Sequence, residues 1–236
     1  MAMFAYVMVF FTQVFADTKE NFSYTCLERL THKKSSNKFV ALTFDDGPSR
    51  SITPKILKIL NEKGVKATFF VLGRNVKNNP EIVRSLRDSG HEIANHSYSH
   101  ANLRKRSSTS IEDELQKTNA ELAKLEILPG WFRPPYGSSN STVKNKAFAQ
   151  NMHTIFWSLD SKDWKRPNPE TLKQRVLDRT QPGEVILLHD IHRNTLKALP
   201  GIIDGLQTRG YTFVTISEWY DRLKNITPTR QLLCSK

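Results

Sequence analysis

The segment Ala67-Thr68-Phe69-Phe70-Val71-Leu72 decides the fold, because it is almost wholly apolar on both faces of an extended chain. Such a run is typical of a strand in a parallel sheet, whose two faces are covered by the helices that connect the strands. Comparable runs recur along the chain, and each leads into a helical pattern. Seven such βα units predict a single-domain α/β protein with a distorted (β/α)7 barrel. A doubly wound open sheet is the alternative.

The predicted elements alternate along the chain. Strands are predicted at 38–44, 67–72, 91–94, 131–133, 153–158, 184–188 and 211–215. Helices are predicted at 53–63, 80–88, 109–126, 141–150, 169–179, 195–207 and 217–223. Pro54 in a first turn and Gly64 after a last turn are typical start and stop signals.

Five polar motifs follow predicted strands at their carboxyl ends. They are Thr43-Phe44-Asp45-Asp46-Gly47-Pro48, Asn95-His96-Ser97-Tyr98-Ser99-His100, Arg133-Pro134-Pro135-Tyr136-Gly137, Asp160-Ser161-Lys162-Asp163-Trp164 and Leu187-Leu188-His189-Asp190. The carboxyl ends of barrel strands converge on one rim, where active sites form. The placement therefore favours the barrel and predicts one site that collects these side chains.

The first two motifs contain the residue types of a mononuclear metal site. Neighbouring side chains of an extended chain point in different directions, so of Asp45 and Asp46 one can bind a cation while the other serves as a base. A plain turn is the alternative for this motif. On one helical turn, His96 and His100 would face the same side and hold one ion. Zinc suits two nitrogens and one oxygen best, and cobalt or nickel could substitute.

The remaining motifs offer groups that handle charge and protons. A guanidinium such as that of Arg133 would orient a carboxylate base and keep it ionised. His189 beside a metal becomes a general acid, and Asp163 could hydrogen-bond it and raise its pKa. Trp164 could form the wall of a groove and stack on a sugar. Taken singly, each also fits an ordinary structural role.

With all five motifs in order, the chain resembles the polysaccharide deacetylases of carbohydrate esterase family 4, which include chitin and peptidoglycan deacetylases. The resemblance covers about residues 38–224. It implies one role for each of these residues: Asp45 as general base, Asp46, His96 and His100 as zinc ligands, Arg133 as the partner of Asp45, the Tyr136 backbone N–H as oxyanion donor, Asp163 as the residue that tunes the general acid His189, and Leu187 and Trp164 as walls of the acetyl pocket.

The activity that the resemblance implies is metal-dependent removal of N-acetyl groups from an N-acetylated polysaccharide, with release of acetate. A β-1,4-linked N-acetylglucosamine polymer such as chitin or a chitooligosaccharide is the first expectation. Peptidoglycan N-deacetylation is one alternative. O-acetyl xylan esterase activity is another, because the same site cleaves esters. A catalytically silent protein that binds a wall polysaccharide is the alternative outside enzymes.

The first sixteen residues predict that the protein is secreted. Residues 1–16, MAMFAYVMVFFTQVFA, are uncharged and almost wholly apolar, and Val14-Phe15-Ala16 resembles a cleavage site. We predict a signal peptide at 1–16, with an uncleaved anchor as the alternative, an irregular lead-in at 17–37, a catalytic domain at 38–224 and a tail at 225–236. No membrane span is expected after cleavage, since the segment is short for a bilayer. A secreted monomer, with possible association with the cell wall, is the expectation.

Charge and cysteine content fit the same expectation. The net charge of +12 favours attraction to an anionic cell surface or wall polymer, with a merely solvated basic surface as the alternative. No basic arm interleaved with aromatic residues is present, so nucleic-acid binding is not expected. Cys26 and Cys234 are the two cysteines, and in a secreted protein they are predicted to form a disulfide.

Overall fold

The computed structural model describes residues 38–226. The predicted signal peptide, the lead-in at 17–37, most of the tail and both Cys26 and Cys234 lie outside the described residues, so secretion and the disulfide stay predictions. Within the described range, none of the helices has both the length and the apolar character needed to cross a bilayer.

Eight strands form one sheet, and every pairing in it is parallel. They are β1 (Phe39–Asp45), β2 (Thr68–Val71), β3 (Glu92–Asn95), β4 (Trp131–Phe132), β5 (His153–Thr154), β6 (Leu159–Asp160), β7 (Val185–His189) and β8 (Thr212–Val214). The order is β5-β4-β3-β2-β1-β7-β6, and β8 pairs with the first half of β1. The sheet curls into a half-barrel, which confirms the predicted single-domain α/β fold with a distorted (β/α)7 barrel.

The helices follow the strands closely as predicted. They are α1 (Thr53–Glu62), α2 (Gly73–Asn78), α3 (Pro80–Asp88), α4 (Ser108–Ala123), α5 (Ser141–Phe148), α6 (Pro169–Arg179), α7 (Arg193–Thr208) and α8 (Ile216–Ile226). The short helix α2 was not expected, because its six residues carry too little apolar periodicity. Its first two N–H groups donate to the carbonyls of Ser97 and Tyr98, so tertiary contacts fix it.

The prediction of one strand at 153–158 is wrong. β5 and β6 occupy opposite ends of the strand order, with residues 155–158 between them. The N–H of Ile155 donates to the carbonyl of Phe132 in β4 at 2.9 Å, and the N–H of Ser158 donates to that of Val185 in β7 at 3.1 Å. This apolar segment therefore bridges the two edges of the half-barrel instead of extending a strand.

Alternation along β1 separates two layers of the core. Val40, Leu42 and Phe44 belong to the cluster that packs under the helices, whereas Phe39 and Ala41 belong to a second cluster around Trp219 of α8. Because side chains alternate, Thr43 and Asp45 continue the second row toward the carboxyl end of the strand. The last inward position of β1 is thus an aspartate at the rim.

Candidate active site

The register of two central strands places two predicted catalytic residues side by side. Asp45 and His189 are paired Cα positions of β1 and β7. The side chain of His189 lies on the same face of β7 as those of Val185 and Leu187. Val185 belongs to the core cluster around Trp219, and Leu187 lines the pocket at the rim. The alternation of strand side chains therefore brings a carboxylate and an imidazole to the same rim.

Asp45 and Asp46 point in different directions, as the sequence predicts. Asp45 is buried and faces Arg133, whereas Asp46 has a φ of 76° and faces the two histidines. A left-handed conformation is uncommon for a residue other than glycine and often marks a functional site. The turn after β1 therefore directs one carboxylate to each side of the rim.

Three side chains could hold a metal ion. Oδ1 of Asp46 lies 3.1 Å from Nε2 of His100 and 3.4 Å from Nε2 of His96. The ligand atoms of the three residues all lie within 4.8 Å of one another. Oδ1 of Asp46 is buried without a hydrogen-bond partner among the described residues, which is costly unless a cation is bound. Burial opposes ionisation of Asp46, but the contacts with His100 and His96 hold its pKa well below its usual range.

The tautomer of His96 also fits a metal ligand. Nδ1 of His96 lies 2.7 Å from the carbonyl oxygen of Arg133. A carbonyl only accepts, so Nδ1 carries a hydrogen, and Nε2 is the ring nitrogen that faces Asp46 and could bind a cation. Metal-bound histidines commonly donate their second ring N–H in this way. The donor set and its surroundings therefore fit a divalent cation.

The two histidines do not lie on a helical turn, which corrects that prediction. They flank a loop after β3 in which Ser97 and His100 have φ of 67° and 64°. Glu114 of α4 holds this loop: Oε2 accepts the N–H groups of Tyr98 and Ser99 at 3.0 and 2.8 Å, and Oε1 accepts the Ser99 hydroxyl at 2.6 Å. Sequence reasoning missed Glu114, since an acid within an amphipathic helix carries no special signal.

Arg133 pairs with Asp45 inside the protein. Its Nη1 donates to Oδ1 of Asp45 at 2.7 Å and to the hydroxyl of Thr43 at 2.8 Å, and Nη2 donates to the carbonyl of Phe156 at 3.0 Å. The side chain of Arg133 is fully buried, and its guanidinium lies 4.0 Å from the ring centre of Phe70. The structure therefore brings Arg133 to the predicted partner and fixes the carboxylate.

Asp163 contacts His189 through both the backbone and the ring. Its two oxygens lie 2.7 Å from the His189 N–H and from Nδ1, and the hydroxyl of Thr195 donates to the same carboxylate at 2.7 Å. Burial alone would lower the pKa of His189. The hydrogen bond and charge of Asp163, with the charges of Asp45 and Asp46, outweigh it and raise that pKa to about 9.

A pocket of about 380 Å³ opens at this rim. Its lining residues are Asp45, Asp46, His96, His100, Tyr136, Trp157, Asp160, Trp164, Leu187 and His189. All the predicted wall residues are among them. Trp157 and Asp160 were missed as wall residues, because Trp157 lies in the bridging segment that was predicted as strand.

The two exposed aromatic residues of the pocket, Tyr136 and Trp164, contact different neighbours. Tyr136 is 67% exposed, has a φ of 62°, and its ring lies 4.5 Å from that of His100. Trp164 is 50% exposed, and its Nε1 donates to Oδ1 of Asp160 at 3.4 Å. Large aromatic faces at the mouth of a polar pocket are suited to contacts with sugar rings.

A buried acid that the sequence analysis did not assign supports the turn after β1. Asp190 is fully buried, and one of its oxygens accepts a hydrogen bond from the hydroxyl of Thr53, which itself accepts the Ser49 N–H at 2.7 Å. A Cβ at Gly47 would lie 2.1 Å from the same oxygen. Burial, with the charge of Asp46, raises the pKa of Asp190 to about 7.

The fold and the site together define a class: single-domain α/β proteins with a candidate mononuclear metal site at the rim of a half-barrel. Residues 32–155 match the family model described as polysaccharide deacetylase. The chain belongs to this family, among the deacetylases of carbohydrate esterase family 4. The predicted resemblance is confirmed.

Individual relatives carry different names. The peptidoglycan-N-acetylglucosamine deacetylase PgdA of Listeria monocytogenes is 40% identical over 189 residues, which cover 80% of this chain and 40% of that protein. The chain thus spans well under half the length of that relative. A chitooligosaccharide deacetylase of Rhizobium leguminosarum bv. trifolii is 34% identical over 200 residues, covering 78% of this chain and 93% of the relative.

A solved structure shares the fold closely. It is a CE4 family pseudoenzyme from Bacillus anthracis, 39% identical, with a TM-score of 0.75 over 78% of this chain and 66% of that one. A chain with this fold can therefore lack activity, so family membership alone does not establish catalysis.

Proposed function

We propose that this protein is a metal-dependent deacetylase that hydrolyses N-acetyl groups of a β-1,4-linked N-acetylglucosamine glycan and releases acetate. The observation that carries the proposal is the arrangement around the ligand triad. Asp45 and His189 are paired positions on adjacent strands, and each contacts a charged partner, Arg133 and Asp163 respectively. The ligand triad Asp46, His96 and His100 lies beside them. A general base and a general acid beside one metal site are groups that can catalyse amide hydrolysis.

In this proposal Asp45 is the general base. Arg133 donates to one oxygen of Asp45, which leaves the second oxygen to take a proton from the attacking water. Oδ2 of Asp45 lies 3.8 Å from Nε2 of His96, so the base is close to the ligand triad. Because Arg133 and Asp45 are both buried, the base is fixed in one orientation before substrate binds.

His189 is the general acid. Asp163 holds Nδ1, so Nε2 is the atom that can give a proton to the leaving amine. The raised pKa of about 9 keeps the ring protonated at neutral pH. Leu187 and Trp164 shape the pocket for the acetyl methyl group, and the Tyr136 N–H stabilises the developing oxyanion.

Asp46, His96 and His100 would hold the metal, which we propose to be zinc, with cobalt or nickel as possible substitutes. When bound, the ion supplies Lewis-acid polarisation of the acetyl carbonyl. Two of the three ligands are histidines, which suits zinc better than magnesium or calcium.

The proposed substrate is a chitooligosaccharide or the N-acetylglucosamine of peptidoglycan, because relatives named for each match about four-fifths of this chain. A silent binding protein is the second candidate, favoured by the similarity to a pseudoenzyme structure. The complete set of base, acid and ligands in this chain supports the enzyme. Secretion follows from the apolar stretch at 1–16, and we propose it together with the Cys26–Cys234 disulfide.

Acetate release from chitopentaose, measured with added zinc and then with a chelator, tests the proposal. Release that stops with the chelator and returns with zinc is the expected result, together with one free amine for each acetate. No release from chitopentaose or from soluble peptidoglycan, with zinc shown to be bound, would reject the enzyme in favour of the silent binding protein.

A further inference from the structure

A second pocket, of about 260 Å³, lies beside the catalytic one. It is lined by Arg166, Ile191, His192, Arg193 and Asn194, which we call the basic pocket. The rings of His192 and His189 have centres 5.7 Å apart, so the basic pocket begins where the catalytic pocket ends. The proposed deacetylase mechanism uses none of its five residues.

The side chains that line the basic pocket carry positive charge. It is lined by two guanidinium groups, and within residues 38–226 no acidic side chain lines it. In the described part of the chain, neither Arg166 nor Arg193 takes part in an ion pair. Two exposed arginines that converge on one cavity without a partner favour an anionic ligand, and guanidinium groups suit planar carboxylates in particular.

Hydrogen bonds fix the backbone of Arg166 and the side chain of Asn194 at the basic pocket. Nδ2 of Asn194 donates to the carbonyl of Pro167 at 2.8 Å, and the N–H of Arg166 donates to the carbonyl of Asp163 at 2.7 Å. These bonds tie the turn that carries Arg166 to α7 and to the residue that holds His189. A preformed site loses less conformational entropy when it binds a ligand.

The basic pocket also has an apolar side. Ile191 is 38% exposed, although it is a large hydrophobic residue. An apolar contact next to guanidinium groups matches a sugar ring that carries a carboxylate. It does not match the neutral, repeating units of chitin, which offer no anion.

We propose that the basic pocket binds a carboxylate of the glycan, on the sugar next to the one whose acetyl group enters the catalytic pocket. This inference rests on the proposed function, and it specifies the substrate class as an acidic N-acetylated glycan such as peptidoglycan. The carboxylate belongs either to the sugar itself or to a peptide attached to that sugar.

Binding calorimetry on the zinc-loaded Asp45→Asn protein, whose turnover should be at least about 10²-fold slower than that of wild type, tests this. The ligands are a peptide-free tetrasaccharide of alternating N-acetylglucosamine and N-acetylmuramic acid, its methylamide with the carboxylates neutralised, and the same glycan carrying peptide stems. A charge-assisted pair should make a carboxylate form bind about tenfold more tightly than the methylamide. Preference for the peptide-free acid assigns the carboxylate to the sugar, and preference for the stem form alone assigns it to the peptide.

The double substitution Arg166→Gln and Arg193→Gln should reduce this preference to less than about twofold, since both guanidinium groups are lost. Lys58→Gln removes a surface charge from α1 and should leave the preference intact, because Lys58 is 76% exposed and lies outside the pocket. Equal binding of all three ligands, or a preference that survives the double substitution, would overturn the proposal.

Acetate release from chitotetraose separates this inference from the proposed function. Wild type and the double variant should release acetate at rates within about twofold of each other, because a neutral substrate has no group for the arginines. Activity on chitotetraose without any preference for carboxylate ligands would leave the deacetylase standing and reject the basic pocket. A preference for carboxylate ligands without activity on any glycan would support the basic pocket and reject the deacetylase.

Discussion

Asp163 binds His189 twice: one carboxylate oxygen accepts the backbone N–H of His189, and the other contacts Nδ1 of its ring, both at 2.7 Å. The hydroxyl of Thr195 donates to the first oxygen, so the carboxylate itself is fixed. The ring of His189 therefore has one orientation and one available nitrogen. The same negative charge raises the pKa of that ring to about 9.

The first prediction concerns pH. A general acid works only while protonated, so activity should fall as pH rises through the pKa of His189, near 9. Asp163→Asn removes the charge that raises this pKa, and the alkaline limb of kcat/KM should move to lower pH. The raised pKa also stabilises the fold below the unfolded value of 6.5, and this stabilisation is lost as pH rises through about 9.

The pH profile of kcat/KM for a chitooligosaccharide measures this limb. Thr195→Val is the matched control, because it removes one hydrogen bond to Asp163 but leaves the carboxylate charge. Its alkaline limb should stay close to that of wild type. An unchanged limb in Asp163→Asn would assign the alkaline loss of activity to another group.

The second prediction separates the base from the metal ligands. Asp45→Asn should retain bound metal and lose turnover by about 10²-fold or more, because a general base contributes that much. His96→Ala should lose both metal and turnover, since it removes one of three ligands. Metal content by atomic emission, set beside acetate release, gives both values. An Asp45→Asn protein with bound metal and full activity would contradict the assignment of the base.

The third prediction concerns the buried ion pair. Arg133→Met leaves the Asp45 carboxylate buried without its cation, which should lower the free energy of unfolding by about 3–5 kcal/mol. Arg133→Lys should also be destabilising, because one ammonium cannot reach Thr43, Asp45 and the Phe156 carbonyl in the geometry of the guanidinium.

Urea unfolding measures both variants. Lys58→Met serves as control, because its ion pair with Glu62 at 3.8 Å is exposed and contributes little. Similar unfolding midpoints for Arg133→Met and Lys58→Met would show that the buried pair does not stabilise the fold.

The fourth prediction concerns the loop that carries the two histidines. Glu114→Gln replaces a charged acceptor of three hydrogen bonds by an amide, and Glu114→Ala removes the acceptor. Supporting residues of this kind typically change metal affinity by about 10–100-fold. Affinity should therefore fall in the order wild type, Gln, Ala, and excess zinc should restore much of the activity. Equal affinities in a competition titration would assign Glu114 to stability alone.

Strand alternation made much of the site predictable from the sequence. The inward row of β1 ends at Asp45, and the motif at the end of β7 brings His189 beside it, so convergence on one rim followed from the parallel sheet. The different directions of Asp45 and Asp46 followed from the same geometry.

Other parts depend on contacts between residues far apart in the sequence. Glu114 and Thr195 come from helices, and nothing in their local sequence indicates that Glu114 accepts hydrogen bonds from the loop between His96 and His100 or that Thr195 donates to Asp163. The helical turn predicted for His96 and His100 was wrong because Ser97 and His100 have positive φ angles, which are incompatible with a right-handed helical turn. The prediction of one strand at 153–158 was wrong because a short apolar run has the same sequence pattern whether it continues a strand or connects the two edges of a sheet.

The last prediction tests whether Asp190 supports the turn after β1. A Cβ at Gly47 would lie 2.1 and 2.3 Å from the two oxygens of Asp190, so Gly47→Ala must displace the turn or the buried carboxylate. Overpacking of this kind should cost about 1–3 kcal/mol and, because Asp46 precedes Gly47, it should weaken zinc binding. Gly130→Ala is the control, since nothing lies within 4 Å of its added Cβ.

Asp190→Ala removes the atoms that the new methyl group would meet. In that background Gly47→Ala should therefore cost less than it does alone, and the difference is the coupling between the two sites. Urea unfolding and zinc titration of the four proteins in the cycle measure it. Additive effects on both would mean that the turn and Asp190 adjust independently, and the metal ligand Asp46 would then owe its position to the rest of the rim.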